Sequence, residues 1–195
     1  MLIIAITGKI GSGKSLIGKY LEKKGAYYIN MDYISKKVRQ DVQILKKIRK
    51  YIGSSVFTNN VLDTKKLKNL IFNDIKQRLK LNAIMWPLLK KELINEIKAH
   101  KNFNIIVVEA AVLLQAGWNK YVDKIIYIHS DWEKRVRRVI NRDNLSITEI
   151  KNISQQQDNY ETFQNLINYR VINNKTKEYL YKQIINIFNK EKWSF

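Results

Sequence analysis

Short, continuous apolar runs recur along the chain, and each is bounded by polar residues or glycine. The clearest is Leu2–Thr7, which contains no charged residue, and two similar runs follow at 104–108 and Lys124–His129. Runs of this length and composition are typical of strands that are buried on both faces of a parallel sheet. Shorter segments at 26–29 and 170–172 are predicted to complete a sheet of five strands.

Apolar residues at helical spacing fill most of the chain between these strands. The predicted helices lie at 14 to about 24, 132–141, 147–158 and 176–190, and residues 33–99 are predicted to be mostly helical, with turns at 53–55 and 59–60. Strands that alternate with helices predict an α/β fold with a parallel sheet. We expect the helical insertion to lie near the carboxyl ends of the strands, where open α/β sheets bind ligands.

The segment between the first strand and the first helix carries the most specific motif of the chain. It runs Gly8-Lys9-Ile10-Gly11-Ser12-Gly13-Lys14-Ser15 and matches the phosphate-binding pattern G-x-x-x-x-G-K-[ST] in full. Glycines let backbone N–H groups curl around a phosphate, and the helix N-terminus adds its positive dipole end. In such loops the lysine reaches the β- and γ-phosphates, and the hydroxyl, here that of Ser15, ligates Mg²⁺. The order of strand, loop and helix favours nucleotide phosphate binding over an unliganded turn.

Two acidic residues follow predicted strands and are candidates for chemistry. Asp32 is expected to end the second strand, at the same edge of the sheet as the phosphate loop. A carboxylate there could accept the proton of an acceptor hydroxyl, although an aspartate also serves well as a helix N-cap. Glu109 ends the third strand and could order water on Mg²⁺ or the acceptor, with a capping role as the alternative.

Arginines crowd one predicted helix. They are Arg135, Arg137, Arg138 and Arg142, and the last two are spaced i and i+4, which places them on one face. Arginines on a mobile helix can clamp a phosphoryl group and neutralise the charge that develops during its transfer. A solvated helix face is the competing interpretation.

Composition excludes several classes of protein. The 195 residues suffice for one domain with a sizeable core, and the absence of Cys excludes disulfides, thiolate metal sites and cysteine nucleophiles. The net charge is +19, but the basic residues are scattered among abundant Ile, Asn and Tyr, which is the balance that A/T-rich codons produce. We therefore expect a solvated surface and anionic small ligands, with no nucleic-acid partner.

The sequence also bears on the cellular location of the protein and on the role of its two histidines. No apolar run is long enough to span a bilayer, and Met1 leads directly into the first strand without a secretory signal pattern, so we expect a cytoplasmic protein with no membrane partner. His100 and His129 lack metal-ligand spacing and are expected to be structural. The oligomeric state stays open, with a monomer favoured.

Taken together, these segments resemble dephospho-coenzyme A kinases over nearly the whole chain. Besides the phosphate loop, the segments that carry the resemblance are Lys24-Gly25-Ala26, Asn30-Met31-Asp32, Ile71-Phe72, Arg78-Leu79-Lys80, Ile84-Met85-Trp86-Pro87, residues 110–118 (AAVLLQAGW) and Arg138-x-x-x-Arg142-Asp143-x-Leu145-Ser146. The Met-Trp-Pro and Ala-Ala-Val-Leu-Leu forms resemble the kinase half of the bifunctional coenzyme A synthase of animals. No adenylyltransferase half is present in this sequence.

The resemblance implies a fold and a reaction. It implies a P-loop kinase with three α/β/α layers, a parallel five-stranded sheet, an acceptor-binding helical insertion over 33–99 and a small lid over 131–158. It implies transfer of the γ-phosphate of ATP, with Mg²⁺, to the ribose 3′-hydroxyl of dephospho-coenzyme A. The residues implied to bind the nucleotide are Gly8, Gly11, Ser12, Gly13, Lys14, Ser15, Leu16 and Asn174, the last near the adenine.

Within the same resemblance, Lys14 and Ser15 become the phosphate and Mg²⁺ ligands, Asp32 the base, and Arg138 and Arg142 the lid clamps. Departures from the family pattern occur at Lys9, Asn30, Leu70, Gln115 and Arg170. None of them removes a residue assigned to phosphate binding or to the base. The alternatives are another small-molecule P-loop kinase, of nucleoside or shikimate type, and a nucleotide-gated binding module.

Overall fold

A computed structural model describes all residues, 1–195. The strands are β1 (Leu2–Thr7), β2 (Tyr27–Asn30), β3 (Phe57–Thr58), β4 (Val61–Leu62), β5 (Ile105–Glu109), β6 (Lys124–His129) and β7 (Tyr169–Ile172). Five of them form a sheet in the order β2-β5-β1-β6-β7, in which every neighbouring pair is parallel. The predicted five-stranded parallel sheet is therefore confirmed, and β1 occupies its centre.

Nine helices accompany the strands. They are α1 (Lys14–Glu22), α2 (Met31–Val38), α3 (Val42–Tyr51), α4 (Thr64–Asn73), α5 (Ile75–Ala99), α6 (Trp132–Asp143), α7 (Ile147–Gln155), α8 (Tyr160–Phe163) and α9 (Lys177–Glu191). Short 3-10 turns lie at Ser54–Val56, Trp118–Tyr121 and Gln164–Leu166. None of the helices combines the length and the apolar character that a bilayer span requires.

The chain forms two compact units, one made of residues 1–30 with 94–195 and the other of residues 31–93. In the first unit, α1 and α9 bury apolar side chains against one face of the sheet. Strand residues of the opposite parity, such as Ala5, Ile106 and Val108, are equally buried, so both faces are covered. This is the α/β arrangement of a P-loop kinase, as predicted.

Strand register brings the carboxyl ends of three strands to one edge of the sheet. Ile6 of β1 and Asn30 of β2 both lie opposite Glu109, the last residue of β5. The phosphate loop leaves β1 at this same edge, directly after Thr7. Side chains at the ends of β2 and β5 therefore meet at the start of α1.

Several predicted boundaries were wrong by a few residues. β2 ends at Asn30, so Asp32 does not end this strand; it lies in the first turn of α2. Met31, which is 3% exposed, already belongs to α2, so the helix follows the strand without a connecting residue. The predicted helix 147–158 ends at Gln155, because the Asp158 N–H donates to Ala111 O outside any helix.

The second unit, residues 31–93, is mostly helical, as predicted, but it also contains a small hairpin. β3 pairs with β4 in antiparallel register across Asn59 and Asn60. Both residues have left-handed φ, 48° and 63°, which is the conformation that a tight two-residue hairpin turn requires. Asn accepts this conformation more readily than most residues, so the predicted turn at this position is confirmed.

One close contact in the first unit links α1 to the end of β2. Gly18 lies in α1, and a Cβ atom placed there would clash with the ring of Tyr28. The same tyrosine donates its hydroxyl to the Glu109 carboxylate. The glycine therefore leaves the space in which the Tyr28 ring reaches the carboxyl edge of the sheet.

We predict that Gly18→Ala destabilises the protein by about 1–3 kcal/mol through overpacking, although Ala is the better helix former by about 1 kcal/mol. Denaturant unfolding of the variant measures this difference. In a Tyr28→Ala background the clash is gone, and the same change should be stabilising. A Gly18→Ala variant more stable than the parent in both backgrounds would contradict the contact.

Candidate active site

The phosphate loop is shaped by glycines that no other residue could replace. Gly11 and Gly13 have φ values of 76° and 103°, in the left-handed region that L side chains rarely adopt. A Cβ atom on Gly11 would also lie 2.7 Å from the carbonyl oxygen of Arg135, and one on Gly13 would clash with the side-chain amide of Asn173. The loop is therefore pressed against α6 on one side and against the segment after β7 on the other.

Lys14 begins α1 inside this loop. It is 7% exposed, and its Nζ donates to the carbonyl oxygen of Lys9 at 3.2 Å. The ammonium group thus lies across the loop, beside the backbone that would surround a phosphate. This is the position that the motif predicts for a lysine that contacts the β- and γ-phosphates.

Ser15 and Glu109 meet directly. The Ser15 hydroxyl donates to Glu109 Oε1 at 2.6 Å, while Oε2 accepts from the Tyr28 hydroxyl and from Asn30 Nδ2, the latter at 3.1 Å. Glu109 is 3% exposed; burial of the Tyr28 hydroxyl and then its proximity to the Glu109 carboxylate raise the pKa of Tyr28. Three donors therefore hold one buried carboxylate next to the loop serine.

This pair suits a magnesium ion. Mg²⁺ prefers hard oxygen ligands, and it is usually held by one or two protein oxygens plus substrate phosphates and water. The hydrogen-bonded Ser15 hydroxyl and Glu109 carboxylate provide two such oxygen ligands. The structure contains no group of three or more His, Cys, Asp or Glu side chains that could hold a metal ion by themselves. Ser15 and Glu109 are the residues that fit the ion.

A second carboxylate is buried behind the loop. Asp158 is fully buried; it accepts from Thr7 Oγ1 at 2.8 Å and from the backbone N–H groups of Leu114 and Gln115 at 2.9 and 3.1 Å. Burial raises the pKa of its carboxyl, and these donors and the Lys14 charge oppose that rise. Asp158 thus joins the end of β1 to the segment that follows β5.

The structure separates the two arginines assigned to the lid. Arg138 donates to Gly11 O at 3.2 Å, to Ser130 Oγ at 3.0 Å and to Asn173 O at 2.9 Å, so it lies against the phosphate loop. Arg142 donates to the Asp143 carboxylate, at 2.8 and 2.6 Å, and its side chain is 62% exposed. Clamping by both residues, and a lid over 131–158, stay predictions.

Asn174 lies where the segment after β7 meets α6. Its Oδ1 accepts from Ser130 Oγ at 3.1 Å and from Asp131 N at 3.0 Å. Beside it is an open groove of about 360 Å³, whose walls are Lys134, Arg137, Arg138, Asn141, Asn174 and Lys175. The groove borders Arg138, and so it adjoins the side chain that contacts the loop.

Asp32 belongs to the unit 31–93. It is exposed and lies in the first turn of α2, where a negative charge is favoured by the helix dipole. Because the helix already begins at Met31, Asp32 is not its N-cap residue, and the capping interpretation was wrong. Its role as a base stays a prediction.

Several contacts to the loop carried no signal in the sequence. Gln157 Oε1 accepts from Ile10 N at 2.6 Å, and Asn173 Nδ2 donates to Ser12 O at 2.7 Å. Arg135 was one of four crowded arginines and was not singled out, yet it donates to Ile10 O. These residues lie more than 120 positions from the loop, and only the order of the strands brings them to it.

A family model described as dephospho-CoA kinase matches residues 2–178. The chain belongs to the dephospho-CoA kinase family. It is 31% identical over 188 residues to the dephospho-CoA kinase of Fusobacterium nucleatum, an alignment that covers 94% of this chain and 95% of that protein. A second dephospho-CoA kinase, from Hydrogenovibrio crunogenus, is 35% identical and covers 80% and 81%.

Among solved structures, a protein from Thermus thermophilus superposes with a TM-score of 0.81 over 97% of both chains, at 24% identity, which supports the fold. The matched residues, 2–178, include the phosphate loop and Glu109. The likeness of the Met-Trp-Pro and Ala-Ala-Val-Leu-Leu segments to the animal form stays a prediction.

We predict that Glu109→Gln lowers turnover or apparent Mg²⁺ affinity about 10- to 100-fold, because an amide nitrogen cannot accept from Ser15 and Tyr28 as a carboxylate oxygen does. A Mg²⁺ titration of ADP release measures both quantities. Glu96→Gln is the matched control, since Glu96 accepts from the Tyr27 hydroxyl at 2.9 Å in a pair away from the loop. Unchanged Mg²⁺ dependence and turnover in Glu109→Gln would remove Glu109 from the site.

Proposed function

We infer that the chain transfers the γ-phosphoryl group of ATP to the ribose 3′-hydroxyl of dephospho-CoA, which yields CoA and ADP. This reaction is the last step of CoA biosynthesis. The observation that carries the inference is the complete phosphate loop, in which the Ser15 hydroxyl donates a hydrogen bond to the buried Glu109. The family match over residues 2–178 supports it.

The triphosphate fits the first unit of the chain. Its β- and γ-phosphates would lie against the loop N–H groups and Lys14, at the N-terminus of α1. Its adenine fits the groove beside Asn174, and basic side chains on that groove's wall suit the neighbouring phosphates. Ser15 and Glu109 would hold Mg²⁺, which would offset the negative charge of the transferring phosphates.

The chemical step requires positioning more than covalent chemistry. The 3′-oxygen of the acceptor forms a bond to the γ-phosphorus while the bond from that phosphorus to the ADP oxygen breaks, and ADP leaves with its electron pair. The hydroxyl proton goes to the Asp32 carboxylate. Arg138 lies at the loop and would offset negative charge on the phosphoryl oxygens.

The remaining features of the proposal come from the sequence. Residues 33–99 are proposed to bind the acceptor, and residues 131–158 to act as a lid. We propose a cytoplasmic monomer that uses Mg²⁺ and takes no nucleic-acid partner. Size-exclusion chromatography with light scattering gives the mass of the particle.

We predict that, with ATP and Mg²⁺, dephospho-CoA raises ADP release far above background and is converted to CoA. Adenosine, nucleoside monophosphates and shikimate should have little effect. A coupled ADP-release assay on the purified chain, with CoA identified by mass spectrometry, compares these acceptors. A higher kcat/KM for another acceptor would move the protein to a different small-molecule kinase activity. ATP hydrolysis that no acceptor stimulates would favour a nucleotide-gated binding module.

Asp32→Asn separates chemistry from structure. The variant keeps its size and loses a helix-dipole interaction of about 0.3–1 kcal/mol, so it should fold and bind ATP as the parent does. Without a proton acceptor, kcat should fall by at least about a hundredfold. Turnover, ATP affinity and melting temperature are measured on one preparation.

Asp41→Asn is the matched control for this experiment. Asp41 is a carboxylate of the same unit that caps α3 through Gln43 N and Ile44 N, and Asn caps about as well as Asp. This control should keep parental turnover. If Asp32→Asn also kept it, Asp32 would not be the base, and Glu109 would be the next residue to test.

A further inference from the structure

Three consecutive carbonyl oxygens of the phosphate loop accept hydrogen bonds from side chains outside the loop. The carbonyl oxygen of Ile10 accepts from Arg135, that of Gly11 from Arg138, and that of Ser12 from Asn173. We call these three oxygens, of residues 10–12, the carbonyl rim. Two of the three donors are guanidinium groups of α6.

Anchoring the rim decides where the loop N–H groups point. In a trans peptide the C=O and N–H bonds point in opposite directions. A carbonyl of Ile10 held outward by Arg135 therefore turns the N–H of Gly11 toward the inside of the loop, and a carbonyl of Ser12 held by Asn173 does the same for Gly13. No acceptor in the chain pairs with either of these two N–H groups. They are the donors that a phosphate would meet.

Two of the three donors are charged, and Arg135 is the more buried of these two. It is 7% exposed. Its Nη1 donates to Ile10 O at 3.3 Å and to Ser154 Oγ at 3.1 Å, and its Nε donates to Ser130 O at 3.0 Å. Its guanidinium also lies 5.1 Å from the ring centroid of Trp132. It forms no ion pair with a carboxylate.

A buried cation without an anionic partner is costly unless its hydrogens are bonded to oxygens. Here the oxygens belong to three separate places: the phosphate loop, the turn after β6, and α7. On the other side of the same loop residue, Gln157 accepts the N–H of Ile10. Both backbone polar groups of Ile10 are thus fixed by side chains distant in sequence.

We propose that Arg135 is a positioning residue for the nucleotide. It acts through the Ile10 carbonyl, holding the Gly11 N–H toward the β-phosphate side of the loop, and it does not itself contact the phosphates. The proposal rests on the proposed function only in naming the nucleotide, because it concerns the loop and not the acceptor.

The test compares ADP binding with acceptor use. Arg135→Met keeps most of the side-chain volume and removes the donors, and ADP with Mg²⁺ is the probe, by isothermal titration calorimetry. We expect ADP affinity and the KM for ATP to worsen at least about tenfold, which is about 1.4 kcal/mol at 25 °C. The KM for dephospho-CoA should stay within about twofold, since an effect on general stability would not select one substrate.

Two further variants sharpen the result. Arg135→Lys keeps a charge and one donor, and should recover part of the ADP affinity. Arg170→Met is the matched control: Arg170 also lies over an aromatic ring, that of Tyr160 at 4.5 Å, but it is exposed and makes no bond to the loop. This control should bind ADP as the parent does.

ADP affinity in Arg135→Met within twofold of the parent would overturn the proposal, as would equal losses for ADP and dephospho-CoA. If Arg135→Met fails to fold, Ser154→Ala removes one acceptor of the guanidinium and leaves Arg135 in place. It should weaken ADP binding in the same selective way, and an unaltered affinity there would likewise overturn the proposal. If the parent fails to phosphorylate dephospho-CoA while Arg135→Met weakens ADP binding, the proposed function falls and this inference stands.

Discussion

The peptide groups of the phosphate loop impose the constraint on which this site depends. To bind a phosphate, the loop must turn N–H groups inward, and every carbonyl that is thereby turned outward must find a donor. The chain meets this demand with Arg135, Arg138 and Asn173, which come from α6 and from the segment after β7. Both elements reach the loop only because β6 and β7 follow β1 in the sheet order. The site is therefore a consequence of topology as much as of the motif.

A similar need for hydrogen-bond partners explains the contact between Ser15 and Glu109 at the other end of the loop. Glu109 is buried at the end of β5, and a buried carboxylate is tolerated when donors surround it. Asn30 and Tyr28 supply those donors from the end of β2. The Tyr28 ring requires Gly18 beneath it, which ties a helix residue to the carboxylate that fits the metal.

The sequence predicted those features of the fold and the site that depend on residues close together along the chain. Apolar runs located the five sheet strands to within one residue at most ends, and the motif located Lys14 and Ser15. The predicted end of the second strand was wrong, because α2 begins directly after β2 and places Asp32 in its first turn. The sequence also could not rank the arginines, because helical spacing puts Arg135, Arg138 and Arg142 close to one face, and only the packing of α6 on Gly11 decides which of them meet the loop. Asp158 and Gln157 gave no signal, since their partners lie about 40 to 150 positions away.

The charged groups beside the phosphate loop bear on nucleotide binding more directly than the net charge of +19, which is spread over the chain. Arg135 and Arg138 are both largely withdrawn from water, burial lowers the pKa of each, and neither is paired with a carboxylate. Glu109 and Asp158 place two negative charges beside the same loop, where hydroxyl and backbone N–H donors stabilise them. The oxygens of residues 10, 11, 130, 154 and 173 solvate these guanidinium groups without neutralising their charge. A polyphosphate anion at the N-terminus of α1 would interact favourably with the helix dipole, with Lys14 and with these guanidinium groups, so the positive groups at this edge of the sheet favour nucleotide binding.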